Sequence, residues 1–481
     1  MRLRYVFSLL LAILLAPFFA FWAWSAIEAA RLDRVFDALE ARREPLDVAE
    51  FERKPATDEQ RQASHLYAEA GKLVDDVSLN AFTALGKTIE HVCDPSAEDT
   101  QADFLTLEDV EHRYARALEL LDRAAELDAS GWDERDKPAT FSPAVMRPEQ
   151  LASVNAVRTA RRACGDEREQ AARALLSTLR LRRMPPWPNT LRRMHTAHGL
   201  QLVLTRSRPE PSMLEALQRE FEREADDHEI ERQMLFSRAR WLADTHPGLF
   251  SDPPPDFAAR KLTPFTALAM RLSRPARDHA TVRELREFDE VIEAAKAPWP
   301  QKLDEAARLA RKYPRPRSRG LGVTNIASLF ALHVANSQMQ FHVPSIAESL
   351  ARTRASIGAL AVARWRADHG GALPASLHDL VPSYVSAPLM DPYTGGELKY
   401  VIGRPERPAP QAPERPAPQT PERPAARGPE RPAPDGYKVY SVGANRKDDG
   451  GRWEQSSDLQ WARRGEPFDI GIAVTASPKL P

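Results

Sequence analysis

The sequence predicts a mainly α-helical protein: an irregular array of helical hairpins, with an N-terminal transmembrane helix and a small α+β module at the C-terminus. Three observations support this fold class. The composition, with 28% charged residues and only 21 glycines in 481 residues, favours helix over sheet. Apolar residues recur with helical spacing through most of the chain. Two strand-like segments, 397–402 and 436–442, follow near the C-terminus.

The N-terminal segment Tyr5 to Ile27 is apolar except for a tyrosine, two serines and a proline. As a helix it would measure about 34 Å, which is enough to cross a hydrocarbon core of about 30 Å. Arg2 and Arg4 precede it and predict a cytoplasmic N-terminus. We therefore assign residues 1–30 to a cytoplasmic tip and a transmembrane signal anchor. The rest is expected to be periplasmic, on a single-pass protein of the bacterial inner membrane.

A cleaved signal peptide is the alternative interpretation of this segment. A signal peptidase site needs small residues, whereas Phe21, Trp22 and Trp24 stand where such a site would lie. The apolar run is also longer than the hydrophobic region of an ordinary signal peptide. Both features favour an anchor.

Residues 31–343 are predicted to form an α-helical extracytoplasmic body. The clearest amphipathic helix covers 107–127, and its end, Arg116 to Asp128, resembles the second helix of a tetratricopeptide repeat. No sustained 34-residue period accompanies it, so we expect irregular hairpins. Further helices are predicted at 58–77, 148–164, 167–182, 189–205, 211–225, 228–244, 282–296, 301–312 and 324–339.

The body offers few residues suited to catalysis. His195 and His198 would share one helix face, but no third ligand stands at a characteristic distance, so a structural or surface role is favoured over a metal site. Nucleophile-elbow and phosphate-loop motifs are absent from the sequence. We predict no catalytic residues, and we expect a protein that is not an enzyme.

Charge and cysteine content limit the partners and the compartment. The 67 basic and 68 acidic residues leave a net charge of −1, whereas a nucleic-acid-binding body usually has a basic excess, so no nucleic-acid partner is expected. Cys93 and Cys164 are the only cysteines. In an oxidising compartment they could form one disulfide, and the alternative is two separate buried thiols.

Residues 344–481 form the predicted C-terminal module. Ser345 and Glu348 have capping-box spacing, which predicts that a long helix begins there and ends at Gly370-Gly371. Four proline-rich octapeptides at 405–436 interrupt the following hairpin. Their composition predicts an exposed polyproline-like loop, which we interpret as a spacer; a ligand for an aromatic groove is the alternative.

The order of motifs in this module resembles the C-terminal domain of the major pseudopilin of type II secretion systems. The shared motifs are the segment Leu377 to Leu380, Asp391-Pro392, the Tyr-Ser-x-Gly motif at 440–443, the loop Asp448 to Gly451, and Asp469-Ile470. The likeness covers about 110 residues. It does not extend to the N-terminus, where the glycine of the prepilin cleavage site and the glutamate after it are missing.

The resemblance implies a calcium ion in the acidic loop, with Asp448, Asp449 and Asp469 as carboxylate ligands and Asp391 as a weaker one. Clustered carboxylates with free carbonyls can supply the oxygens that calcium needs. The loop departs from the family pattern at Phe468. A Gly/Asp turn that needs no metal is the alternative.

Together these features predict a membrane-tethered scaffold or adaptor of the bacterial envelope with protein partners. One alternative is an accessory component of a type II secretion or pilus-like system, which the module would bring into contact with pseudopilins. Another is an envelope hydrolase whose catalytic residues the sequence does not reveal.

Overall fold

The computed structural model describes twelve stretches of the chain, which are 2–51, 57–74, 100–127, 147–165, 167–181, 190–207, 209–225, 227–245, 274–313, 334–403, 436–451 and 469–474. Their α-helices are, in chain order, α1 Arg2–Ala41, α2 Asp58–Lys72, α3 Thr100–Arg113, α4 Ala115–Glu126, α5 Arg147–Cys164, α6 Arg168–Leu181, α7 Thr190–Arg206, α8 Pro211–Glu224, α9 Glu229–Thr245, α10 Arg274–Lys296, α11 Gln301–Lys312 and α12 Val334–Asp368. Short 3₁₀ helices cover Val48–Phe51 and Leu377–Leu380. The strands are β1 Lys399–Ile402, β2 Tyr437–Ser441 and β3 Ile470–Val474.

The prediction of a mainly helical protein with a small sheet is confirmed. The sheet is antiparallel, with the strand order β1-β2-β3. The segment predicted to cross a membrane, Tyr5 to Ile27, lies within α1. Among the described residues, however, no helix combines the length and the apolar character that a membrane span requires. The predicted span therefore gains no support from the structure.

Two helix boundaries predicted from local signals are wrong. Ser345 does not begin a helix, because α12 runs without interruption from Val334 through Pro344 to Asp368. Buried apolar residues lie on both sides of the proline, Val343 before it and Ile346 after it, so packing outweighs the one backbone N–H that proline removes. The helix predicted over 107–127 is divided at Tyr114 into α3 and α4.

The chain divides into two compact units, each assembled from separate stretches. Unit 1 comprises residues 1–54 and 227–345, and unit 2 comprises residues 55–226 and 346–481. The division at 345/346 lies two residues from the predicted boundary at 343/344. The division at 54/55 and the one at 226/227 have no counterpart in the sequence prediction, because helices of both units have similar amphipathic patterns.

In unit 1, α10 is the central helix and packs against α1, α9 and α11. It contributes buried Leu285, Phe288 and Val291. The ring of Trp241 on α9 lies 5.9 Å from that of Phe288, centroid to centroid. Burial of these large side chains is the main stabilising contribution, at roughly 1.5–3 kcal/mol for each aliphatic or phenyl group.

In unit 2, two apolar clusters hold the helices and the sheet. One joins α2, α4 and α5, with Leu121 and Leu151 fully buried in it. The other joins α5 to α8 with the C-terminal part of α12 and the sheet. On the sheet, Tyr437 packs into this cluster and its hydroxyl donates to the carbonyl oxygen of Ala359 on α12 at 2.9 Å. Burial raises the pKa of this phenol, which therefore stays protonated as the donor.

Candidate functional site

Helix α1 has two parts with opposite environments. Along 15–27, large apolar side chains point into solvent; Phe18 and Trp22 are 63% and 66% exposed, and Phe19 is 60% exposed. Along 28–41, Leu32 and Leu39 are buried against the rest of unit 1. Singly exposed apolar residues are ordinary, but a contiguous group of aromatic side chains indicates a surface that another apolar phase or partner covers.

Polar contacts hold the second part of α1 in place. The carboxylate of Glu28 is almost fully buried, accepts a hydrogen bond from Arg31 at 2.8 Å, and lies 3.4 Å from Nδ1 of His279 on α10. Beside it, burial raises the pKa of Asp278, although Arg274 and other nearby guanidinium groups oppose the change. A polar contact between two helices, Glu28 on α1 and His279 on α10, therefore marks the boundary between the exposed and the docked parts of α1.

The four carboxylates that the sequence assigned to calcium lie around the C-terminal end of β2. Asp391 is almost fully buried and accepts three hydrogen bonds, from the backbone N–H of Tyr393 at 2.8 Å, the hydroxyl of Ser441 at 2.9 Å and the backbone N–H of Val442 at 3.0 Å. This arrangement fastens the Asp-Pro turn to the strand. Such charge-assisted hydrogen bonds are about twice as strong as neutral ones.

The other three carboxylates organise the loop that follows β2. Asp469, also buried, accepts from the backbone N–H of Gly451 at 2.6 Å and from that of Asp449 at 3.4 Å. Asp448 accepts from the hydroxyl of Tyr440 at 2.9 Å, and Asp449 accepts from the side-chain amide of Asn445 at 2.9 Å. Burial, with help from Asp448, raises the pKa of the Tyr440 phenol. Each carboxylate thus already has a partner that shapes the loop.

These contacts leave the calcium prediction open. In the portion of the chain that the structure describes, no three His, Cys, Asp or Glu side chains form a group that could hold a metal ion. Asp391 and Asp469 could still offer lone pairs, because a carboxylate has about four acceptor sites. Calcium at Asp448, Asp449, Asp469 and Asp391 stays a prediction.

The sequence also singled out two cysteines, two histidines and a proline-rich segment. Cys164, the last residue of α5, is disulfide-bonded. Cys93, the only other cysteine, lies outside the described residues, as does most of the proline-rich segment 405–436. His198 lies on α7 and is partly buried; the side chain of His195 is not described.

Some residues that organise these regions were not identified from the sequence. Ser441 belongs to the Tyr-Ser-x-Gly motif, but its partner Asp391 is 50 positions away. Arg238 on α9 is fully buried, and nothing in the neighbouring sequence distinguishes it from an exposed helical arginine. The contact between Ser441 and Asp391 and the burial of Arg238 are visible only in the folded structure.

Comparisons of the chain with models of protein families, with curated proteins and with solved structures found no match.

Proposed function

We propose that this protein is a membrane-tethered scaffold of the bacterial envelope. In this proposal the first part of α1 lies in the lipid bilayer of the inner membrane, and the second part connects the tether to a helical body in the periplasm. The body and the C-terminal module then provide surfaces for protein partners. The observation that carries the proposal is the division of α1 into an exposed aromatic part and a docked part.

Lipid explains this exposed surface better than water does. Six large apolar residues of the first part are exposed, namely Leu15, Phe18, Phe19, Trp22, Trp24 and Ile27. Transferring each large apolar side chain from water into an apolar phase gains about 1.5–3 kcal/mol. Trp22 and Trp24 stand at the end of the apolar run, where indole rings suit a membrane–water interface.

The docked part of α1 gives the tether a firm connection to unit 1. At its C-terminal end, the guanidinium of Arg42 donates to both carboxylate oxygens of Asp289 on α10, each at 3.0 Å. Both contacts come from one nitrogen, Nη2, and they are charge-assisted hydrogen bonds between the segment that follows α1 and α10. A scaffold needs such a connection, because a body joined by a loose linker would not be held in a fixed orientation to the bilayer.

Membrane fractionation with a matched pair of variants tests the proposal. The unmodified chain should stay with membranes after an alkaline carbonate wash. A Phe18→Glu/Phe19→Glu variant should be released, because each carboxylate costs about 3 kcal/mol near the middle of a bilayer-spanning helix. The control, Ala38→Glu/Ala41→Glu, adds the same two charges at exposed positions of the docked part and should be retained. Release of the unmodified chain, or equal retention of both variants, would contradict the tether.

A further inference from the structure

The two outer edges of the sheet differ in how their backbone is covered. β3 lies at one edge and contacts α7. The backbone N–H of Ala473, which alternation along β3 directs away from β2, reaches the side-chain oxygen of Gln201 on α7 at 3.5 Å. A helix therefore shields this edge, which is a common protection against strand pairing.

The β1 edge is only partly covered. Leu398 donates its backbone N–H to Leu389 at 2.8 Å on the side away from β2, while Gly403 donates to Gly436 on the β2 side at 3.0 Å. Because backbone groups alternate along an antiparallel strand, Tyr400 and Ile402 direct their N–H and C=O groups to the outer side, as Leu398 does. Among the described residues no strand pairs with β1 on that side.

This open stretch has defined ends and an apolar character. At one end, the segment beginning at Leu389 already occupies the outer position beside Leu398. At the other end, Gly403 has φ +147°, so the chain leaves the strand direction there. Between them, Val401 and Ile402 are 41% and 40% exposed. Exposed apolar side chains on an unpaired edge are the features that strand addition uses.

We propose that β1 pairs with β1 of a second copy of this chain, which joins two three-stranded sheets into one of six strands. The twofold axis passes beside Val401, so that Val401 faces Val401 of the partner subunit. Tyr400 then faces the partner's Ile402. The backbone N–H and C=O groups of both residues point outward, so the two residues exchange a pair of hydrogen bonds. The pairing continues the outer row begun by Leu389, and each strand fits within the space between that segment and Gly403.

The strand is self-complementary in this register, which is why a second copy is the chosen occupant. A twofold interface requires one surface to match itself, and here the central pairs, Val401 with Val401 and Tyr400 with Ile402, match apolar with largely apolar side chains. Both strands end at the glycine before they would meet the partner's Leu389 segment. Lys399, the charged residue of the strand, is placed opposite the partner's Gly403, and its ammonium group lies 3.8 Å from the carboxylate of Asp448 in its own chain.

Disulfide trapping in the full chain, purified in mild detergent, tests the register. Facing residues that do not share hydrogen bonds have Cα atoms about 4.5 Å apart, within the range of a disulfide. Val401→Cys should therefore form covalent dimers under mild oxidation. Glu397→Cys is the matched control, since it is exposed in the same segment but its two copies would lie ~27 Å apart at ~3.4 Å per residue. Adding Ile402→Lys to the Val401→Cys chain should abolish the dimers.

Sedimentation of the chain without added cysteines gives a second measurement. It should show a dimer for the unmodified chain and a monomer for Ile402→Lys, a substitution at an exposed position. Equal crosslinking through positions 397 and 401, or a dimer that Ile402→Lys leaves intact, would overturn the proposal. Sedimentation of the unmodified chain as a monomer at all concentrations would overturn it as well.

Discussion

Arg238 and Glu44 form a buried ion pair in unit 1. Nη1 of Arg238 lies 2.6 Å from Oε2 of Glu44, and the arginine side chain is fully buried. A second guanidinium nitrogen donates to the carbonyl oxygen of Pro45 at 3.3 Å, and Asp289 lies 3.5 Å from Nη1. The pair therefore joins α9 to the segment that follows α1.

Removing the arginine alone should destabilise unit 1. Arg238→Met removes the short contact to Glu44, which is 13% exposed and keeps only the longer contact to Nε of Arg42 at 3.7 Å. Breaking one side of a buried ion pair typically costs about 3 kcal/mol, so a clear fall in the urea midpoint is expected. The double variant Arg238→Met/Glu44→Gln should recover part of the loss, because no charge is left buried. A single variant as stable as the parent would show that the pair contributes nothing.

Asp391→Asn should loosen the connection between the Asp-Pro turn and β2. The amide keeps the shape of the side chain but loses the charge, and its NH₂ end cannot accept a hydrogen bond. Either Val442, which donates to Oδ2, or both Tyr393 and Ser441, which donate to Oδ1, therefore lose their acceptor. We expect a loss of about 2 kcal/mol, which thermal melting followed by near-ultraviolet circular dichroism would measure. Glu397→Gln, at an exposed position in the same turn, is the control and should leave the melting temperature unchanged.

Gly358→Ala should destabilise unit 2 although alanine favours helix. A Cβ atom at this position of α12 would lie 2.9 Å from Cγ1 of Val439 and 3.1 Å from Cδ1 of Leu389. Overpacking of this kind costs about 1–3 kcal/mol, which exceeds the gain of about 1 kcal/mol from helix propensity. Gly199→Ala on α7 is the comparison, since its nearest atom is the flexible end of Leu175 at 3.3 Å. If both variants melt alike, the close packing of α12 on the sheet is wrong.

The contact between α10 and α11 should weaken in acid. Partial burial opposes ionisation, but hydrogen bonds from Lys312 and Tyr313 lower the pKa of Glu290 below its ordinary 4.5. A lowered pKa in the folded state contributes stability that is present above pH 4.5 and is lost as the pH falls through the folded value. Glu290→Gln should therefore melt at a lower temperature than the parent at neutral pH. The loss in free energy of unfolding should be less than about 1 kcal/mol, because the group is partly exposed. The difference should vanish in acid; a constant difference at every pH would contradict this assignment.

Calcium binding at the acidic loop has a direct thermal test. If the ion binds the folded chain, melting with calcium in excess should give a higher midpoint than melting with a chelator. At a calcium concentration 100 times the dissociation constant, the free energy of unfolding should rise by about 2.7 kcal/mol. Asp449→Asn should reduce the difference, because it removes a ligand charge from the loop that Asp469 closes. Equal midpoints for the unmodified chain would remove the calcium prediction.

Local sequence signals predicted most of the helices but not the way they assemble. Amphipathic spacing located α5 to α9 within a few residues, and Gly370 and Gly371 ended α12 with positive φ angles of 62° and 96° as expected. The capping signal at Ser345 failed because a local signal competes with packing over the whole helix. The strand β3 was recognised only as an Asp-Ile motif, since five residues without a clear alternation give no strand signal.

The candidate sites were predictable only as far as neighbouring residues determine them. The apolar segment at 5–27 is evident from the sequence, but its junction with a docked part depends on Glu28 and His279, which are 251 positions apart along the chain. The acidic loop was predicted as a group of carboxylates. The donors that each carboxylate has come from strands and turns that only the fold brings together.

Spin-label accessibility along α1 tests the tether most directly. A nitroxide on a cysteine replacing Phe18 is compared with one on a cysteine replacing Ala38, about 30 Å further along the helix, in the full chain reconstituted into lipid vesicles. If α1 enters the bilayer, the label at position 18 should collide often with oxygen and rarely with a water-soluble nickel complex, and the label at position 38 should show the reverse. Equal access of the nickel complex to both positions would contradict the membrane tether.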